Sequence, residues 1–197
     1  MKNEIVKLGI ILFVITAVSA LLLAVSNGLT KDTIKKSIEA ESNGPDVAKA
    51  VIPGAVTIEK FDENLVEKIK SENDKFIDLR ECKDENGKLL GYGITTKSPV
   101  KGYGGDIEII LGISVDGKIK GMKVVSHNET VGLGTGIEKS DFQSKFIGKT
   151  TDQQFTVTKT EIKETDIESL GGATFSSKSF TSAVNNAIEI YNKYLKK

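Results

Sequence analysis

"DIEIILGISVDGKIKGMKVVSH", Asp106 to His127, carries two β-rich runs around Asp116-Gly117. That dipeptide favours a tight type I′ turn, so the stretch reads as an antiparallel hairpin. Ile107, Ile109 and Leu111 alternate with Asp106, Glu108 and Ile110, which predicts one fully apolar face and one mixed face. Upstream, "FIDLRECKDENGKLLGYGITT", Phe76 to Thr96, repeats the pattern around Asn86-Gly87. Two hairpins in succession make an antiparallel sheet the core. Helical patterns follow at Lys139 to Phe146 and Ser177 to Tyr194, with one more strand expected over Phe155 to Thr160. In the last helix Phe180, Ala183, Val184, Ala187, Ile188 and Tyr191 recur at spacings of three and four and form one apolar stripe. The expected fold class is α+β, a sheet covered by helices.

Outside this core the chain has two other compositional signals. Leu8 to Val25 is a run of eighteen apolar or small residues, and no charge appears until Lys31. A membrane-spanning helix needs roughly 17 to 25 such residues. A secretory signal is the rival reading, since Lys2 and Lys7 form a basic start. Signal cores, however, run only about 7 to 15 residues, so an uncleaved anchor over residues 1–30 is the expectation. Lysines flank both ends, so their count does not orient the span. A short head before a large folded tail favours the domain lying outside the cytoplasm. A polar stalk helix is expected over 31–45, ending at the breaker cluster Asn43-Gly44-Pro45, with one domain over 46–197.

In the whole chain of 197 residues, 27 basic and 27 acidic side chains cancel, which argues against nucleic acid as a partner. The single cysteine, Cys82, excludes an internal disulfide and every all-cysteine metal site. It reads as a small buried hydrophobe. His127 is the only histidine, and no second ligand lies at metal spacing, so neither a metal site nor a histidine-dependent catalytic triad is expected. It reads as a polar residue at a loop edge, with Glu129 as its hydrogen-bond partner.

Three loops hold more glycine than a connector requires. "KGYGGDI", Lys101 to Ile107, enters the Asp106–His127 hairpin, and "SHNETVGLGTGI", Ser126 to Ile137, leaves it at the same open end. These two loops must therefore be neighbours. Gly132-Leu133-Gly134-Thr135-Gly136 lacks the spacing and the parallel strand-to-helix setting of a dinucleotide fingerprint. The third loop opens "ESLGGATFSSKSFTSAVNNAIEIY", Glu168 to Tyr191, and runs straight into the last helix. Ser176 or Ser177 is the expected N-cap, and the exposed amides from Phe175 to Ser177 suit an anion. Capping explains one serine, not the Gly-Gly-Ala-Thr before it.

"IESLGGATFSS", Ile167 to Ser177, resembles the flavin-attachment motif D-x-x-[ST]-G-A-T-x-[ST]-[ST] of the FMN-binding domain shared by the G subunit of Rnf electron-transport complexes and the C subunit of sodium-pumping NADH:quinone reductases. "GYGGDI" and "SHNETVGLG" resemble that family's GYGG-x-I and H-x-E-T-P-G-L-G segments, in order and spacing, and the single anchor matches as well. The sequence departs from the pattern at Glu168, where the family prefers Asp, at Gly171, where it prefers Ser or Thr, and at Val131, where it has proline.

The resemblance implies FMN joined by a phosphoester to the Thr174 hydroxyl, installed by a dedicated flavin transferase. Gly172, Ala173, Phe175, Ser176 and Ser177 would surround the attachment point. The ring would lie toward the glycine loops, with Gly104, Glu129, Thr130, Gly132, Leu133 and Gly134 beside it and Tyr103 or Phe175 stacking on it. No catalytic residue set of its own is expected, so the chain would act as a redox subunit that does not turn over alone. Its partners would be the other membrane and peripheral subunits of an Rnf-type ferredoxin:NAD oxidoreductase. An Nqr C-like subunit, a stand-alone extracytoplasmic FMN carrier and a non-redox surface protein binding a peptide or an anionic ligand are the other readings.

Overall fold

The computed structural model describes residues 2–41, 45–159 and 165–196. It contains an N-terminal helix, Met1–Glu41 as a unit, and an α+β domain from Ser42 to Lys197. Helix α1, Lys2–Glu41, is continuous. The polar stretch expected as a separate stalk therefore prolongs the apolar helix, and Asn27-Gly28 causes no break; residues 42–44 lie outside the described residues. Among the described residues α1 contains the one helix long and apolar enough to cross a bilayer, and Phe13 and Leu23 are among its exposed side chains.

The domain begins with α2, Pro45–Val51, then β1, Thr57–Lys60, and α3, Glu63–Glu72. Asp62 caps α3 by accepting from the Leu65 amide at 3.0 Å. Strands β2, Phe76–Lys83, β3, Leu89–Lys97, β4, Glu108–Ser114, and β5, Ile119–Ser126, complete a five-stranded antiparallel sheet in the order β1-β2-β3-β4-β5. A 3₁₀ turn, Gly134–Glu138, and α4, Ser140–Gln143, follow. The chain closes with β6, Thr156–Thr158, β7, Asp166–Glu168, and α5, Thr174–Tyr194.

Both hairpins form, with a different turn from the one expected. The Gly87 amide bonds to Asp84 O and the Gly117 amide to Ser114 O, and both glycines have positive φ. Each loop is thus three residues long, a turn followed by a left-handed glycine, rather than a two-residue type I′ turn. Side chains decide this. The Asp84 carboxylate accepts from the amides of Asn86 and Lys88, and the Ser114 hydroxyl accepts from the Lys118 amide, shifting the turn back by one residue.

The mixed face expected for β4 is exposed at Asp106 and half-buried at Glu108, but buried from Ile110 onward. Ile109, Leu111 and Ile113 face the main core under α5, while Ile110 joins a second cluster with Val47, Ala48, Val51, Ile52, Ala55 and Cys82. Helix α2 therefore covers the other face of the sheet. Burial pushes the Cys82 thiol up to about 11, the behaviour of a packed side chain rather than a nucleophile. Gly112 and Gly121 are register partners directly beneath the end of α2. A Cβ on Gly112 would lie 1.9 Å from Val51 O, and one on Gly121 would lie 2.1 Å from Ala50 O.

The expected strand at Phe155 to Thr160 does not join this sheet; β6 pairs in parallel with β7, and Thr160 lies outside the described residues. Asn185 of α5 holds this segment, accepting from the Phe155 amide at 2.9 Å and donating to its carbonyl at 2.8 Å. Beneath it Phe142, Phe146, Phe155 and Phe180 pack with ring centroids 5.5 to 5.9 Å apart, joining α4 and β6 to α5. Thr96 donates to Ala183 O at 3.1 Å and ties α5 to β3.

Gly112→Ala is expected to destabilise the domain by about 1–3 kcal/mol, because the added methyl must displace the Val51 carbonyl. Thermal unfolding of the purified protein measures it. A gain in stability, the usual effect of alanine for glycine in a strand, would contradict this packing.

Candidate functional site

The three glycine loops meet around one side chain. Glu129 is only 6% exposed, and its Oε1 accepts from the Gly104 amide at 3.0 Å. Its Oε2 accepts from the Ser176 hydroxyl at 2.5 Å. One carboxylate thus bonds to the loop entering β4 and to the first turn of α5, while its own backbone belongs to the loop leaving β5. The glycines make room for it. A Cβ on Gly102 would lie 2.2 Å from Oε1, one on Gly134 would lie 2.5 Å from Oε2, and one on Gly104 would lie 1.9 Å from Asn128 O.

His127 fixes the same loop from the other side. Its Nδ1 accepts from the Glu129 amide at 2.9 Å, so its Nε2 carries the proton and donates to Glu138 at 3.0 Å. Glu129 is thus a hydrogen-bond partner of His127, as the sequence suggested, but through its backbone amide; the side-chain partner is Glu138, because the Glu129 carboxylate is engaged by Gly104 and Ser176.

Helix α5 starts three residues earlier than the sequence pattern indicates. Ala173 occupies the N-cap position without a side-chain cap, and Ser176 and Ser177 lie inside the helix. Neither serine is an N-cap. Ser177 is fully buried; its hydroxyl donates to Ala173 O and accepts from the Leu170 amide, both at 3.0 Å. That bond holds the incoming loop in place of a cap. The Ser177 amide is the first to donate into the helix, to Ala173 O. The amides ahead of it in the first turn are those of Thr174, Phe175 and Ser176, one residue upstream of the set expected.

Two adjoining hollows open on this end of the domain. A cleft of about 210 Å³ is lined by Tyr103, Glu129, Thr130, Leu133, Gly134, Gly172, Ala173, Phe175 and Ser176. Thr174 lines the other, about 590 Å³, together with Lys159, Glu168, Ser169, Leu170 and Gly171. Gly172 and Phe175 border both. Gly172 has φ of +74°, a left-handed turn that presents the next residues at the helix start. The rim of the cleft is unusually apolar for a surface: Tyr103 is 78% exposed, Phe175 67% and Leu133 52%.

Most residues singled out from the sequence come together here. Gly104 supports the cleft through Glu129 without lining it. Gly132 stands apart, its amide bonded to the Thr135 hydroxyl at 3.0 Å, and Ser177 faces the interior. Three residues in the Thr174 hollow were not anticipated: Lys159, Ser169 and Leu170. A lysine just after β6 is visible in the sequence, but only the fold brings it to the same hollow as Thr174. Glu168 is held by Lys145, whose ammonium lies 3.2 Å from its carboxylate and 3.2 Å from its carbonyl. A half-buried hydroxyl at a helix start, in a hollow that a lysine also lines and that adjoins an apolar cleft, suits a phosphate ester carrying a planar ring.

Family models agree with this geometry. An FMN-binding domain matches residues 102–189, which include all three loops, and the RnfG N-terminal region matches residues 1–43. The G subunit of the Na⁺-translocating ferredoxin:NAD⁺ oxidoreductase complex of Acetobacterium woodii is 38% identical over 96% of this chain and 93% of its own. The G subunit of a proton-translocating ferredoxin:NAD⁺ oxidoreductase complex of Clostridium ljungdahlii is 37% identical over 59% of this chain and 64% of its own. Among solved structures, the C subunit of the Na⁺-translocating NADH-quinone reductase from Parabacteroides distasonis has the same fold, with a TM-score of 0.53 at 22% identity over 67% of this chain and 68% of that one. With identity to a G subunit extending over nearly the full length of both chains, and family models falling on the apolar helix and on the three-loop domain, this chain belongs to the RnfG family and contains its FMN-binding domain.

Proposed function

We propose that this chain is the electron-carrying subunit of a membrane-bound, ion-translocating ferredoxin:NAD oxidoreductase, with FMN joined by a phosphoester to the Thr174 hydroxyl. The observation that carries the attachment point is the position of Thr174: first residue of α5, half-buried, on the wall of the hollow shared with Gly171 and Gly172. The similarity to the G subunits of such complexes supports the wider assignment.

FMN supplies reversible acceptance of one or two electrons when bound. The chain's own residues bind and orient it. The amides of Thr174, Phe175 and Ser176, with the positive end of α5, would stabilise the phosphate charge, and Lys159, which lines the same hollow, would add a cation. Gly172 lets the phosphate and its linker approach the backbone. Phe175 and Tyr103, which line the cleft with Leu133 and Thr130, would offer faces for stacking on the ring.

Attachment requires a flavin transferase, whose recognition would include Glu168 in the position where the family prefers Asp. The apolar part of α1 spans the membrane once, and the FMN domain lies on the extracytoplasmic side. No charged residue occurs between Leu8 and Thr30, so ion translocation takes place in other subunits. Relatives are named for sodium and for protons alike, and either ion is compatible with a carrier of this kind.

Co-expressed with a flavin transferase, the protein is expected to fluoresce under ultraviolet light in a denaturing gel and to gain the mass of one FMN less one water. Thr174→Ala should abolish both; a wild type with neither signal refutes covalent attachment. Gly171→Ser is expected to raise the flavinylated fraction without loss of stability. A Cβ at Gly171 meets no atom within 4 Å and its φ lies outside the left-handed region, so the hydroxyl the family prefers fits there. Mass spectrometry of the intact protein reads the fraction. In mild detergent the chain should co-purify with further integral membrane subunits; recovery of the loaded chain alone favours a stand-alone carrier.

A further inference from the structure

The Glu129 carboxylate does more than hold loops together. A clasp between an amide and a hydroxyl needs hydrogen-bonding groups, which a neutral glutamine would also provide. Here the group is a carboxylate, 6% exposed, and it lines the same cleft as the exposed side chains of Tyr103 and Phe175. Its side-chain partners, the Gly104 amide and the Ser176 hydroxyl, are both neutral, so they disperse its charge without cancelling it. Backbone packed against it at Gly102 and Gly134 keeps water from its oxygens. Charges in such a site interact strongly, because the surroundings screen them little.

The geometry points to Glu129 as the residue that lowers the reduction potential of the flavin held in this cleft. The inference rests on the FMN reading above. Two electrons and one proton taken up from a reductant leave the isoalloxazine ring with one added negative charge. A fixed carboxylate lining the cleft that would hold the ring opposes that charge, so the oxidised ring would be favoured. When the electrons pass on to an oxidant and the proton is released, the repulsion is relieved. Glu129 is a positioning and tuning residue: it forms no bond with the electrons' donor or acceptor, and it acts through its field and through the loops it joins.

Ser176 modulates the same effect. Its hydroxyl draws negative charge away from Oε2 through the hydrogen bond of 2.5 Å. Removing it should intensify the field at the ring, whereas neutralising Glu129 should abolish it. The two substitutions therefore act in opposite directions, which a purely structural clasp would not produce.

The test is a potentiometric titration of the full chain in detergent, loaded with flavin by co-expression with a flavin transferase and reduced with dithionite, the ring's absorbance being followed. In Glu129→Gln the amide oxygen can accept from Gly104 N–H and the amide nitrogen can donate to Ser176 Oγ, so the clasp survives without its charge. A positive shift of the midpoint is expected, at least tenfold in the reduction equilibrium, which for a two-electron couple is about 30 mV. Ser176→Ala is expected to shift it negatively. An unchanged midpoint in Glu129→Gln, or shifts of one sign in both variants, overturns the assignment. If Glu129→Gln fails to take up flavin, the sign in Ser176→Ala decides: a positive or absent shift overturns it. A wild type that carries no flavin instead refutes the FMN reading, and with it this inference, so the two failures are distinguishable.

Discussion

The functional end of this domain depends on burying one carboxylate between three loops. Glu129 can bond to Gly104 and Ser176 at once only if backbone approaches it closer than any side chain would permit, and the glycines at 102, 104 and 134 are what allow that approach. A buried polar group left without partners costs about 1–3 kcal/mol, so the loops cannot separate cheaply once the carboxylate is inside. The glycine content that first suggests ligand contact is therefore largely a packing requirement. The exposed wall of the cleft comes instead from neighbours of the glycines: Tyr103, Thr130, Leu133 and Phe175 are among the residues that line it.

That clasp works because the scaffold behind it is rigid. The sheet is covered on both faces, by α5 on one and α2 on the other, and β4 contributes side chains to both cores. Loops that leave β3 and β5 at the same end of a doubly covered sheet have their origins fixed by strand register. The phenylalanine cluster and the Asn185 bonds then bind β6 and the start of α5 to the same frame. Thr174, the first residue of α5, is thereby held at a defined place on the wall of the larger hollow.

Much of the fold was legible locally. The two hairpins, the apolar stripe of the last helix and the long apolar segment are all patterns of near neighbours, set by strand alternation, turn residues and helical periodicity. What was misread depended on competition between neighbours and distant groups. The hairpin turns moved by one residue because Asp84 and Ser114 capture amides that a turn predicted from Asn-Gly or Asp-Gly would use otherwise. Helix α5 began early because Ser177 caps the loop from inside the helix through Leu170, a role that serine's local preference does not foretell. Strand β6 left the main sheet because Asn185, thirty residues on, holds it.

Sequence alone determined that an apolar helix precedes an α+β domain, that two glycine loops share one end of a hairpin, and that Thr174 follows small residues just ahead of the last apolar stripe; each of these follows from local spacing. Only the tertiary structure decided that all three loops converge on Glu129, that α2 buries the second face of the sheet, and that Lys159 and Thr174 line one hollow. The physical reason is that such contacts join residues tens of positions apart. Their energies appear only when the chain has closed around them, and no local pattern encodes them.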